Sequence, residues 1–377
     1  MMQKCQDGYY VTFSSLLSLE DYNKEQEAHT KWTRCPVNAL KVKALDKASP
    51  LYVNTSAFAS EVTSDAIEDT TENLGLAMEV DGKNYPIRDT AYKSLLDRAK
   101  ISGNSLAKLE RKVLAKVLNS CYKLYSADAL LLIRDEKVSA VHSGDASDYS
   151  ILPIPELLDA LKTKLDARFP GNNFVTGYAD HSFTSAEWTM PAQKEDLLGA
   201  YAKVLAAQGK GTFASKIVPG IRFITSDTGV ASAKVSALLV GGQYPIHIGG
   251  CVAVDHRHRS KIAASLDQLF AQFGDSVAKL QKLMEVTLSY PVNAMTRICK
   301  KLSLPKKAAV EAISMYEMAC GNGPATAHDV FMAMQEIPFI AKSSGVPEGK
   351  MLTIEENMAR ALSLRWEDYD LAKAVDY

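Results

Sequence analysis

The sequence has no long apolar run. Its longest apolar stretches, such as Ala129 to Ile133 and Ala237 to Val240, fall far below the roughly 20 residues that carry a helix across a bilayer. No part of the chain is therefore expected to cross a membrane. Lys4 and Asp7 interrupt the first ten residues, where a secretory segment needs a continuous apolar core, so no signal peptide is expected. Paired cysteines are missing too: Cys5, Cys35, Cys121, Cys251, Cys299 and Cys320 stand singly, with no CxxC or CxxxC spacing. That excludes a zinc knuckle or a secreted disulfide framework and points to reduced thiols in a cytosol.

Charge of one sign is also lacking. With 43 Lys plus Arg against 44 Asp plus Glu, the chain has no global field for a polyanion, and nucleic-acid binding would have to come from local patches. The acidic clusters Glu61 to Glu72 and Glu355 to Asp370 read as solvated faces. There is no GxxxxGK[ST] loop, and Gly241-Gly242 and Gly249-Gly250 lack GxGxxG spacing, which argues against a nucleotide-binding loop. Asp180-His181-Ser182 holds the residue types of a hydrolase triad, but three consecutive side chains cannot converge on one point, and no GxSxG elbow exists elsewhere. Glu187 and Asp196 show no spacing that demands a paired acid and base. The sequence leaves catalysis unsupported and implies no cofactor.

What is present is α+β patterning, with a central, mainly antiparallel sheet region flanked by an N-terminal α/β segment and a C-terminal helical region. Four parts follow from the changes in period: a β-containing segment over 1–87, a helical hairpin plus strand pair over 88–170, a β-rich core over 171–261 and helices over 262–377. Asp81-Gly82 between alternating apolar residues reads as a hairpin tip, and Asp135-Glu136 joins a second pair of strands, Ala129 to Arg134 and Lys137 to His142. Strands from about 129 to 254 are expected to form one sheet. Pro291, Pro305, Pro324 and Pro347 punctuate the C-terminal helices.

Two local features are cationic. The segment Thr90 to Asn119 has the texture of a helix-turn-helix whose second helix, from about Ser105, places Lys108, Lys112 and Lys116 at i, i+4 and i+8 beside Arg111, opposite its apolar residues. Lys100 stands where such a turn usually has glycine. The second feature is Asp255-His256-Arg257-His258-Arg259-Ser260-Lys261 at the end of a strand, where Arg257, Arg259 and Lys261 fall on one face and His256 and His258 on the other. The i, i+2 histidines, with Cys251 or His247 upstream, could hold a metal, but the interleaved arginines work against it and no metal is expected. Lys210, Lys216, Arg222 and Lys234 could extend a positive patch over the central sheet. Tyr178, Phe183, Trp188, Phe213, Phe223 and Tyr244 are the candidate platforms for stacking single-stranded bases.

Several segments together resemble a phage- and plasmid-related family of unknown function that is widespread in mobile-element genomes. They are Ala129 to Arg134 with Val138 to Ser143, Asp148-Tyr149 with Ile154 to Leu161, Ser226 to Ser232, and Gly249-Gly250-Cys251. Val252-Ala253 replaces the Asn-Gly that usually follows the cysteine. The resemblance implies a protein of phages, plasmids or integrated elements working in a bacterial cytoplasm, often beside replication and recombination genes, and supplies no catalytic residue. The expectation is a noncatalytic DNA-binding accessory of replication or recombination, favouring single strands or their annealing. The alternatives are a protein-interaction or self-assembling (homo-oligomeric) factor and an enzyme with an unfamiliar site.

Overall fold

The computed structural model describes residues 3–103, 105–145, 149–242, 244–253 and 262–377, with side chains in the last stretch from residue 264. Apart from a two-residue pair, Thr287–Leu288 with Ala325–Thr326, its strands are β1 (Tyr10–Phe13), β2 (Thr30–Pro36), β3 (Lys41–Ala44), β4 (Leu76–Val80), β5 (Lys83–Pro86), β6 (Asp128–Arg134), β7 (Lys137–Ser143), β8 (Asn173–Asp180), β9 (Thr184–Thr189), β10 (Val218–Thr225), β11 (Lys234–Val240) and β12 (Ile246–Ala253). They assemble into a six-stranded antiparallel sheet of order β1-β8-β9-β10-β11-β12 and two three-stranded sheets, β2-β6-β7 and β3-β4-β5. The architecture is α+β.

Both expected hairpin tips form. Asp81 and Gly82 take φ of 51° and 78°, and Asp135 and Glu136 take 46° and 71°, the two successive left-handed residues that match the right-handed twist of paired strands. Glu136 is an awkward residue for that region. Its carboxylate recovers part of the cost by accepting from the Thr63 N–H at 2.7 Å and the Thr63 hydroxyl at 2.6 Å.

Strands β6 and β7 do not join the central sheet as the sequence suggests. They form a separate sheet in which β6 pairs with β2, Trp32 opposite Leu132, and β7 with β6, while the sixth place in the large sheet goes to β1, with Tyr10 opposite Asp180. A period of two fixes which face a side chain takes but carries no information about which strand lies alongside. In the C-terminal region, residues 327–343 form two helices, Ala327–Met334 and Glu336–Ser343. Pro338 accounts for the break, since its ring excludes the hydrogen bond to the Met334 carbonyl.

The large sheet shows two chemistries on its two faces. Ile221 and Phe223 point with Trp188, Val235 and Ala237 into a core closed by the Ile154–Arg168, Lys194–Ala207 and Ile262–Lys282 helices. Between them Arg222 faces the other way, opposite Glu187 and Ser236, and the Glu348–Ala359 helix lies against that side. A second core under the smaller sheets joins β4, β6 and β7 to the Tyr92–Arg98 and Arg111–Tyr122 helices. Among the described residues no helix is long and apolar enough to cross a membrane.

Candidate nucleic-acid interface

The two helices of the basic hairpin are set by their apolar faces. Leu95 and Leu96 are buried in the Tyr92–Arg98 helix, and Leu114, Ala115, Leu118 and Tyr122 in the Arg111–Tyr122 helix. The first helix ends in a Schellman arrangement: Ile101 N–H donates to the Leu96 carbonyl at 3.0 Å and Lys100 N–H to that of Asp97 at 3.2 Å. Lys100 itself sits at φ 55°, the left-handed position that glycine fills at least cost. Its steric penalty is about 1–2 kcal/mol for an L-residue with a side chain.

The second helix starts later than its sequence suggests. Ser105–Lys108 is a separate 3-10 turn, and the α-helix begins at Arg111 after Glu110. Lys108 therefore does not belong to the stripe of Lys112 and Lys116. Serine and the apolar spacing favour a turn here, but the Leu109–Glu110 step breaks the run. At 100° per residue Lys112, Lys116 and Lys123, just past the helix end, fall within about 40° of one another, on the side opposite the buried residues. All three are exposed. Arg111 points elsewhere: half-buried, it bonds the Asn73 carbonyl at 3.4 Å and lies so close over Gly75 that a Cβ there would stand 3.0 Å from its Cγ. Asn119 pins the helix to the edge strand β3, its amide bridging the N–H and carbonyl of Val42 at 2.8 and 2.7 Å, which also covers a strand edge open to mispairing.

The sequence reading missed the extent of this patch. Residues 93–123 carry eight cations, Lys93, Arg98, Lys100, Lys108, Arg111, Lys112, Lys116 and Lys123, against the carboxylates of Asp97 and Glu110. Six of the eight are exposed. Among the described residues none makes an ion pair. A charge count in a sliding window would have found it.

The central sheet, by contrast, offers no comparable field. Arg222 is buried between Glu187, at 2.5 Å, and Glu355. Burial disfavours its cation, and the two carboxylates more than offset that, holding its pKa above the ordinary value. Burial likewise opposes the Glu355 carboxylate, but Arg222 and His247 pull its pKa down to about 2. Lys234 is neutralised by Glu356 and Lys210 by Asp329, leaving Lys216 exposed. The expected positive extension over this sheet is therefore mostly cancelled. His256, Arg257, His258, Arg259 and Lys261 lie outside the described residues. Of the aromatic candidates, Phe183, Trp188 and Phe223 are core, while Tyr178, Phe213 and Tyr244 are half-buried.

Asp180, His181 and Ser182 form a tight turn rather than a triad. Asp180 Oδ1 accepts from the N–H groups of Ser182 and Phe183 at 2.6 and 3.0 Å, and His181 Nε2 donates to the Gln6 carbonyl at 2.9 Å. Burial pushes the His181 pKa well below its usual range. Among the described residues no three His, Cys, Asp or Glu side chains converge to hold a metal.

Four residues from the separate segments that carry the family resemblance do meet. Arg134 bonds Asp227, whose carbonyl accepts from His142 Nε2 at 2.6 Å and from the Tyr149 hydroxyl at 3.1 Å, and the rings of His142 and Tyr149 stack at 3.8 Å. Here the two distant sheets are tied together. No protein-family model, no curated protein and no solved structure matches the chain.

Proposed function

We propose that this chain is a noncatalytic nucleic-acid-binding accessory protein, of the kind that phage- or plasmid-borne elements employ in replication or recombination, and that it holds single strands through their phosphates. The carrying observation is the uncompensated charge of the 93–123 hairpin, eight cations against two carboxylates, six of the eight exposed. Exposed lysines on a helix face supply phosphate contacts without reading bases. Lys100 supports the same reading: a charged side chain kept at a left-handed position, where glycine would be more stable, is the sort of local strain that accompanies function.

The experiment is fluorescence anisotropy with single- and double-stranded oligonucleotides over a salt series, using the full chain and a Lys112→Ala, Lys116→Ala, Lys123→Ala variant. Loss of affinity with a flatter salt dependence is expected. Unchanged binding would remove this face from the reading. Salt-insensitive self-association through the exposed Val310, Met315 and Met318 of the Lys306–Cys320 helix, without nucleic-acid binding, would assign the chain to the self-assembling class instead.

A further inference from the structure

Beside the basic hairpin lies a groove of about 890 Å³, within the roughly 300–1,000 Å³ range of small-molecule sites. Ala44, Pro50, Leu51 and Ala57 give it apolar walls, and Arg111 and Lys112 stand at one side. We infer that this groove seats one unstacked base of a bound single strand, with the adjoining phosphate at the start of the Arg111–Tyr122 helix. The inference rests on the phosphate-binding reading above and goes further by naming what the groove holds.

Three observations converge. The first is an orphaned acceptor. Asn84 lines the groove and is 3% exposed; its Nδ2 donates to the Ala57 carbonyl at 2.7 Å, while Oδ1 is buried and receives no donor. Turning the amide over would set oxygen against the Ala57 carbonyl, so the unmet group is the acceptor. A buried acceptor without a donor is costly, and the Watson–Crick edge of a base provides N–H donors flanked by flat apolar faces.

The second is the helix start. Glu110, at the N-cap of the Arg111–Tyr122 helix, gives no side-chain cap bond, and residues 110–112 line the groove. The first-turn N–H groups and Lys112 together suit a phosphate. The third is the balance of charge inside. Asp46 and Glu110 also line the groove, Asp46 bonding the Ala48 N–H at 2.9 Å, and Lys43 is engaged by Glu79 at 2.8 Å. The interior therefore favours a neutral, donor-bearing ring, while the adjoining phosphate sits at the groove's rim by the helix start and the further phosphates on the lysine stripe outside. A base held between apolar walls and read along one edge is how proteins accommodate unstacked nucleotides.

The test is anisotropy with fluorescein-labelled oligodeoxyadenylate and with an oligonucleotide of equal length built from abasic residues, on the full chain and on Ala48→Trp. Ala48 is an exposed lining residue, so an indole there fills the groove without entering a core; circular dichroism checks the fold. The full chain is expected to bind the base-bearing strand about tenfold more tightly than the abasic one. Ala48→Trp is expected to abolish that difference and keep the salt slope. Equal binding of the two strands by the full chain, or a tenfold difference surviving in a folded Ala48→Trp protein, overturns the groove assignment while the phosphate reading stands. Absence of binding to both strands overturns the two together.

Discussion

Arg134 Nη2 lies 2.5 Å from Asp227 Oδ2, across a separation of 93 positions, and both side chains are more than nine-tenths buried. Arg134 ends β6 of one sheet and Asp227 follows β10 of another, so this ion pair spans the seam between two cores. Its geometry is reinforced by Arg134 Nε donating to the Thr30 hydroxyl at 2.7 Å. Replacing Arg134 by Met would strand the Asp227 carboxylate in a dry site, an expected loss of about 3–5 kcal/mol. Combining it with Asp227→Asn should recover part of that loss. Urea unfolding of the two single variants and the double gives the coupling; strictly additive losses would show that the pair contributes nothing as a pair.

Lys100 offers a test with the opposite sign. Its φ of 55° strains a lysine and leaves glycine unstrained, so Lys100→Gly should raise unfolding stability by about 1 kcal/mol despite glycine's greater freedom in the unfolded chain. The same change removes a cation from the basic hairpin and should weaken binding to single-stranded DNA. Thermal melts and anisotropy on one preparation read both effects. A less stable variant would contradict the strain argument.

The lysine stripe predicts a slope as well as an affinity. Each phosphate neutralised on a single strand contributes about 0.7 to the dependence of log K on log salt, so removing Lys112, Lys116 and Lys123 together should flatten it by roughly two. Little change in sequence preference is expected, since phosphate contacts carry none directly. Alanine is a strong helix former, and these positions are exposed, so the variant should keep its fold. An unaltered slope in a folded triple variant would show that the stripe is only a solvated face.

His328 makes stability depend on pH. It is 1% exposed, its Nε2 lies 2.7 Å from the Tyr201 hydroxyl, and its Nδ1 is 3.5 Å from Lys210 Nζ. Burial and then Lys210 lower its pKa to about 4, against the opposing pull of Asp329. Because the folded pKa lies below the unfolded value of about 6.5, the unfolded chain gains a proton first as pH falls. The stabilisation is complete above about 6.5 and is lost as pH drops towards 4, about 3 kcal/mol in all. Urea midpoints for the full chain and His328→Phe should therefore converge as the pH is lowered through that window. Parallel curves would mean that His328 does not titrate as described.

Some of this protein is written locally. The tips at Asp81-Gly82 and Asp135-Glu136 and the proline breaks are short-range signals, because turn dihedrals and helix starts are decided by a few adjacent residues. Leu114 and Leu118 on the apolar face of the second helix were equally legible, since helical period alone places those side chains together. The stripe of Lys112 and Lys116 followed from the same spacing, although Lys108 fell outside it when the helix began at Arg111.

Tertiary structure decided which strands met and which charges survived. Nothing near Tyr10 says that β1 will pair with β8, and nothing near Trp32 says that β2 will take β6 as its neighbour. Arg222 and Lys234 read as surface cations until Glu355 and Glu356 arrive from 133 and 122 positions away. The orphaned Asn84 acceptor exists only because Ala57 takes the other half of its amide. Periodicity and turn chemistry act over a few residues and are visible in a string of letters. Charge compensation and hydrogen-bond satisfaction depend on distances that only the folded chain sets.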